Sequence, residues 1–384
     1  MTPQQAPGAD WPPEKHGGPR DCADPPDEAF RDVFVALMAG GFGTRFWPLG
    51  TAERPKQFLT ALAGRPLYVQ AAERARRLVP WDRILVLTHE TFAGLVREQT
   101  PAVPLENIIC EPLRRDTAAA VILAALVVER RRPGSIILTM PSDHLIAGAD
   151  AFRRTMAVAV ARARRGGLGT VGVRPTHPAT GFGYLRLARR PLELEAVRVE
   201  EFKEKPNGRQ AERYVASGQY LWNAGMFIWK ASALLAAAEK HMSRTYRLLA
   251  DLAESVGAEG VADRARRTFE RIEPISVDYG IMEKAEDVWS VPAIFEWSDV
   301  GGWLAAADLI EADANGNHIR GRAVCEDAAD NVIVADGEHP VLVAGIRNAV
   351  IVHGPGGTLV CDKAWAERIK PLVEKIVASD REQG

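Results

Sequence analysis

The segment Val33–Leu59, VFVALMAGGFGTRFWPLGTAERPKQFL, sets two cations beyond a glycine turn. An apolar run ends in Ala39-Gly40-Gly41-Phe42-Gly43, then Thr44, Arg45 and, further on, Lys56. Glycines after a buried strand let main-chain N–H groups approach phosphate oxygens closely. A guanidinium grips phosphate as a fork, and an ammonium adds a compact point charge. The combination suits a nucleoside triphosphate at the carboxyl edge of a parallel sheet, where open α/β folds place their ligands. A dinucleotide fingerprint is excluded, because Phe46 stands where its last glycine should be. A Walker loop is excluded by the absence of Gly-Lys-Ser/Thr. Without its neighbouring cations, the glycine run would read as a tight turn and nothing more.

Other residues carry two readings each. Asp143, in Pro141–Ile146 (PSDHLI), follows an apolar run. It suits a helix N-cap or a magnesium ligand, since magnesium takes one or two carboxylates plus phosphate oxygens and water. Ser142-Asp143-His144 is no catalytic triad, because adjacent side chains do not converge and no GxSxG turn exists; His144 reads as structural. Glu204-Lys205 ends a stretch of period-two alternation stopped by Pro206. Such a pair is a surface charge pair or a ligand site. Asn223 lies in an apolar stretch, where burial without partners is costly; its partner is a ligand hydroxyl or the core. Gly183 marks a bulge or a close approach of backbone to ligand. Asp116-Thr117 reads at least partly as the N-cap of a helix over Asp116–Arg130.

These residues need a scaffold. Val33–Met38, Arg83–Leu87 and Ser135–Met140 read as buried strands. Pro66–Val79, Glu90–Glu98, Asp116–Arg130 and Ala151–Arg164 read as helices between them. The alternation predicts an α/β fold: a mostly parallel sheet with helices on both faces. Thr170–Val173, Gly183–Leu187 and Val197–Lys203 add strands, and one helical stretch runs from Ala231 to about Glu270. Apolar triplets then begin at Val332, Val341, Val350 and Leu359, nine residues apart. They predict a small β-domain, either a coiled solenoid or a plain meander. A helix from Lys363 to about Ser379 closes the chain. The expected division is a disordered tail over 1–28, a catalytic domain over 30–312 and the β-domain over 316–384.

The composition is that of an ordinary globular protein: 384 residues, 47% hydrophobic, 26% charged, net charge -2. It gives no electrostatic case for nucleic-acid binding. Cys22, Cys110, Cys325 and Cys361 form no CxxC pair, so neither a zinc knuckle nor a disulfide framework is suggested. No apolar run is long enough to span a membrane, and the N-terminus lacks a signal-peptide pattern. A cytoplasmic protein with reduced thiols is expected.

The motif GGFGTRFWPL…RPKQFL resembles the opening of the sugar-nucleotide pyrophosphorylases. The resemblance continues in order through EPLRRDTAAA, PSDHLI, TGFGY, FKEKP, WNAGMFIW, SVDYGIMEKA and WSDVGGW, over about 33–310. The PKQFL, WNAGMF, SVDYGIMEK and WSDVGGW blocks resemble the mannose-1-phosphate guanylyltransferase branch. Departures are small: Gly50 stands where Ser is usual, and Asp116-Thr117 where Asn-Thr is commoner.

The resemblance implies a Rossmann-like, GT-A-like fold with a mixed, mostly parallel sheet, and a C-terminal part of left-handed β-helix type. It implies the reaction GTP plus α-D-mannose 1-phosphate giving GDP-mannose and pyrophosphate. A sugar phosphate of charge roughly -1.5 to -2 must approach a polyanion, so cations and metal come first. Gly40, Gly41, Gly43 and Thr44 would hold the triphosphate, and Arg45 and Lys56 would neutralise the leaving pyrophosphate. Asp299, in WSDVGGW, joins Asp143 as a ligand of Mg2+. Glu204 would bond sugar hydroxyls, with Gly183 and Asn223 beside it and Asp278 a weaker candidate; Lys205 would meet the sugar phosphate. Glu111 would read guanine through its N1–H and 2-amino donors, with Asp116 its rival. Another nucleotide or sugar pair, and a silent regulatory homologue, are the alternatives. The family's long form carries a C-terminal isomerase domain of cupin type, for which the 384 residues are too few, so one activity is expected here, in a homodimer joined through the C-terminal region.

Overall fold

Strand β1, Val33–Met38, is apolar at every position, as a strand covered on both faces should be. In the computed structural model, which describes residues 28–41, 44–60, 62–254 and 260–383, its side chains alternate between two core layers. Val33, Val35 and Leu37 face one layer, and Phe34 and Ala36 face the other. The tail expected over 1–28 lies outside the described residues, apart from Glu28. Parallel to β1 run β2 (Ile84–His89), β3 (Ile108–Glu111) and β4 (Ile136–Pro141). The connections are helical: α1 (Leu67–Arg76), α2 (Ala93–Gln99) and α3 (Asp116–Arg131).

After β4 come β5 (Leu145–Ala147), α4 (Ala149–Ala163), β6 (Leu168–Val173), β7 (Tyr184–Leu187), β8 (Val197–Lys203), α5 (Gly208–Ser217) and β9 (Tyr220–Lys230). The helical stretch expected over Ala231–Glu270 is three helices: α6 (Ala231–His241), α7 (Ser243–Glu254) and α8 (Val261–Glu270). Then follow β10 (Val288–Pro292), β11 (Glu296–Ser298) and α9 (Trp303–Ala307).

Nine strands form one sheet in the order β3-β2-β1-β4-β9-β6-β10-β8-β7. It is mixed, as expected, but its parallel part is narrower. Parallel pairing joins β1 to β4 and β6 to β10, whereas β9 runs antiparallel to both β4 and β6. The reversal brings the start of β9 to the edge where β4 ends. Helices α1, α2 and α4 cover one face; α3, α6, α7 and α8 cover the other.

The C-terminal strands decide between the two sequence readings. β12 (His318–Gly321), β14 (Val332–Ala335) and β16 (Ala349–Gly354) stack in parallel, and β13 (Ala323–Glu326) stacks on β15 (Val341–Ala344). Val332 pairs with Val350, and Ala323 with Val341. The nine-residue spacing is therefore half a coil, and alternate triplets belong to alternate sheets. This is a solenoid, ended by β17 (Gly357–Asp362), which turns back antiparallel on β16. The buried Asn331 donates to Asn317 Oδ1 on the preceding coil and to Ile346 O, each at 2.9 Å. Such bonds satisfy main-chain and amide groups that burial would otherwise penalise. The closing helix is shorter than expected: a 3-10 run, Lys363–Arg368, precedes α10 (Lys370–Gln383). The coils share one apolar layer with the loops after β1 and β11 and with α9, where Phe46, Leu49, Val300 and Trp303 pack with Val332, Val350 and Ile369.

Candidate active site

The glycine turn leaves the end of β1 and is held from below. The buried Gln57 donates through Nε2 to Ala39 O at 3.1 Å and Gly41 O at 2.8 Å. Thr88 Oγ1 adds a bond to Ala39 O at 3.1 Å. Gly40 and Gly41 face a cleft of about 720 Å³ that runs along the carboxyl edge of β1 to β4. Gly43 and the side chain of Thr44 lie outside the described residues. Arg45 donates to Gly301 O at 3.0 Å.

A second cavity, of about 350 Å³, opens beside the first. Arg45, Lys56, Gly301 and Lys370 line it, and Asp143, His144 and Asp299 line both cavities. Lys56 is only 5% exposed. Its ammonium donates to Asp143 Oδ2 at 3.1 Å and to Asp299 O at 2.5 Å. Asp143 sits between β4 and β5, and no helix follows it directly, so the N-cap reading does not apply. Burial pushes its carboxyl up, but the Lys56 ammonium, by its charge and its hydrogen bond, holds it below the usual carboxylate range.

His144 does more than fill space. Trp297 Nε1 donates to its Nδ1 at 3.1 Å, which leaves the hydrogen of the neutral ring on Nε2. Burial keeps the ring neutral by lowering its pKa. Nε2 then faces Asp143 Oδ1 at 3.7 Å.

Asp299 follows β11 and precedes a strained residue. Val300 has φ 45°, in the left-handed region, and is fully buried. A β-branched residue there costs about 1–3 kcal/mol and persists only where its surroundings over-determine it. Its N–H is tied to Ser298 Oγ at 3.1 Å. Among the described residues, no group of three or more His, Cys, Asp or Glu side chains could cage an ion. A divalent ion shared with phosphate oxygens and water needs only one or two carboxylates. Asp143 and Asp299, on the wall common to both cavities, meet that requirement.

On β3, Glu111 is 9% exposed, and its Oε1 has no hydrogen-bond partner among the described residues. Burial, and then the charge of Asp116, raise its carboxyl to about 8. Asp116 has φ 59° and accepts the Thr117 N–H through Oδ1 at 2.8 Å. Thr117 Oγ1 in turn accepts the Val277 N–H at 2.9 Å, pinning the start of α3 to the loop before Asp278. Asp116 is therefore not the N-cap its sequence suggests: it is the first residue of α3, the N-cap position is Arg115, and its side chain bonds the next N–H.

Beyond β8, Glu204 is buried and Lys205 Nζ stands 3.3 Å from its Oε1. A Cβ on Gly183 would lie 2.5 Å from Glu204 Oε2 and 3.2 Å from Asn223 Cβ, so any side chain there would have to push the Glu204 carboxyl aside. The Asn223 carbonyl oxygen accepts from Thr170 Oγ1 at 2.7 Å and Gly225 N at 3.2 Å. Its amide donates to Asp278 Oδ1 at 2.9 Å, leaving the second amide hydrogen for the cleft. Asp278 opens a π-helical turn, Asp278–Met282. Burial and the charge of Glu204 raise its carboxyl, and burial raises Glu204 as well.

Apart from Gly43 and Thr44, every candidate residue therefore lines one cavity or the other. Sequence reasoning missed Gln57 and Lys370 and undervalued His144. A glutamine inside the apolar-flanked KQFL was a signal for Gln57; Lys370 had none.

Residues 35–316 match the family described as nucleotidyl transferase, and the chain belongs to that family. The Alginate biosynthesis protein AlgA of Pseudomonas putida is 34% identical over 348 residues, 90% of this chain and 71% of that one. The Mannose-1-phosphate guanylyltransferase of Escherichia coli K12 is 33% identical over 359 residues, 91% and 75% of the two chains. A crystal structure described as mannose-1-phosphate geranyltransferase from Thermus thermophilus matches with a TM-score of 0.79. It is 32% identical and covers 90% of this chain and 99% of its own. Among the described residues, no helix is long and apolar enough to cross a membrane.

Proposed function

We propose that this chain transfers GMP from GTP to α-D-mannose 1-phosphate, giving GDP-mannose and pyrophosphate. One observation carries the reading: the order of groups across the sheet edge. Glu111 lies on β3, the glycine turn after β1, Asp143 after β4, Asn223 on β9 and Glu204 after β8. Base, triphosphate, metal and sugar follow in that order. The names of the relatives supply the pairing of guanine with mannose.

The sugar phosphate oxygen attacks the α-phosphorus in line. A P–O bond forms there as the bond to the β-phosphate bridging oxygen breaks, and pyrophosphate leaves. Asp143 and Asp299 would hold Mg2+, which supplies charge neutralisation at the phosphates when bound. Lys56 keeps Asp143 ionised and, through its bond to Oδ2, oriented. Arg45 faces the departing pyrophosphate. Lys205 meets the sugar phosphate, and Glu204 and Asp278 accept sugar hydroxyls. Gly183→Ala would displace Glu204. It should raise KM for the sugar phosphate about tenfold or more and change KM for the nucleotide less than about twofold, measured by steady-state kinetics.

Glu111 supports the base assignment, because its bare Oε1 is an acceptor in want of a donor. Guanine offers adjacent N1–H and 2-amino donors, which favour the ionised carboxylate. GTP binding should therefore release a proton, and affinity should rise with pH towards about 8. Calorimetry in buffers of different ionisation enthalpy would measure the release. The linkage has a definite sign. The folded pKa lies above the unfolded value, so the folded state binds the extra proton. Glu111 then disfavours folding increasingly as pH rises from about 4.5 to about 8. Glu111→Gln should be more stable than the parent at the top of that window, and should lose the preference for GTP over ATP. An unchanged preference would refute the base assignment.

The function is tested by pyrophosphate release with magnesium, crossing GTP, ATP, UTP and dTTP with mannose and glucose 1-phosphates. Release with GTP and mannose 1-phosphate is expected. Release with another pair would discard the specificity, and no release with any pair would overturn the reading.

A further inference from the structure

The smaller cavity is built from four distant stretches of chain, one of them the loop between β4 and β5 with Asp143 and His144. Arg45 and Lys56 come from the loop after β1, Asp299 and Gly301 from the loop after β11, and Lys370 from the first residue of α10. Lys370 is placed by its neighbour. Ile369 is 2% exposed and packs in the apolar layer with Phe46 and Trp303, which fixes the helix start against the turn carrying Arg45.

The other two cations have committed donors. Lys56 spends one bond on the Asp143 carboxylate and one on Asp299 O, and Arg45 spends one on Gly301 O. Among the described residues, Lys370 is paired only with Glu374, at 3.9 Å, beyond hydrogen-bond distance, and its side chain is 59% exposed. Such a pair is worth little. With Lys370, three cations of the lining face two carboxylates, Asp143 and Asp299. Without it the side-chain charges of the lining balance, and its excess of positive charge towards a polyanion is gone.

We propose that Lys370 binds the pyrophosphate group, contacting the β- and γ-phosphate oxygens of the bound nucleotide and the pyrophosphate that leaves. The proposal rests on the reaction proposed above and adds to it a substrate-binding cation from the helix that follows the coils. An ammonium brings three donors and suits a group that must be released as well as held.

The test is the reverse reaction, GDP-mannose plus pyrophosphate, run with the parent, Lys370→Gln, Lys370→Arg and Glu374→Gln. Lys370→Gln should raise KM for pyrophosphate about tenfold and leave KM for GDP-mannose within about twofold, with Lys370→Arg restoring part of the loss. Glu374→Gln should leave both constants unchanged. A Lys370→Gln enzyme with parental KM for pyrophosphate would overturn the proposal. Titration calorimetry of pyrophosphate with magnesium separates this from the reaction itself. A parent without turnover sinks the function, yet weaker pyrophosphate binding by Lys370→Gln would still support the lysine's role, and equal binding would refute it.

Discussion

Asp143→Asn is expected to slow pyrophosphate release by about three orders of magnitude, near the upper end of what one charge-stabilising group contributes. Two losses coincide. The site loses a carboxylate from the wall where the metal would sit, and Lys56 loses the anion against which its buried ammonium is balanced. The asparagine amide can also present N–H groups where Lys56 already points a donor. The deficit should remain at saturating magnesium and at saturating nucleotide, so it belongs to kcat. Steady-state assays over a magnesium series would check it, with circular dichroism to confirm the fold. A variant within about tenfold of the parent would remove Asp143 from the reaction.

Lys56→Met should cost about 10²–10³ in kcat by the same measure, and should also reshape the pH profile. In the parent, Lys56 is the largest influence lowering the Asp143 carboxyl against its burial. Taking the ammonium away leaves burial in command, so the carboxyl rises. The parent should show no activity limb from Asp143 at neutral pH. The variant should gain one, losing activity as pH falls and recovering it as the carboxylate ionises. A pH–rate profile parallel to the parent's would mean that Lys56 acts on the phosphates alone.

Much of the scaffold was legible because buried parallel strands leave a simple mark. β1, β2 and β4 are short apolar runs between helices, and periodicity finds them. β9 was not read as a strand, because Asn223 and Gly225 interrupt its apolar pattern and Gly225 takes φ 67°. Its antiparallel course made the sheet more evenly mixed than alternation suggested. β3 is a short edge strand with Cys110 exposed, too brief to carry a pattern. In the coils, the spacing of nine was plain in the sequence, but whether triplets pair with the next or with the next but one is a long-range fact.

The candidate site was legible motif by motif and illegible as an assembly. Glycines, Arg45 and Lys56 announced phosphate from their types alone. That the Lys56 ammonium reaches Asp299 O, 243 positions away, follows only from the fold. The bare oxygen of Glu111 likewise depends on what burial removed, not on its neighbours in sequence.

Val300 ties the candidate site to the coil. Its backbone is bent against its preference, and its side chain is buried in the apolar layer that also holds Val332, Val350 and Ile369. The carboxylate of Asp299 is therefore aimed like a sight on a sprung mount, whose latch belongs to a different part of the chain. Loosening the coils would let the spring relax and the aim drift, with every reacting group still present. The coils thus act as a calibration of the site, set at a distance.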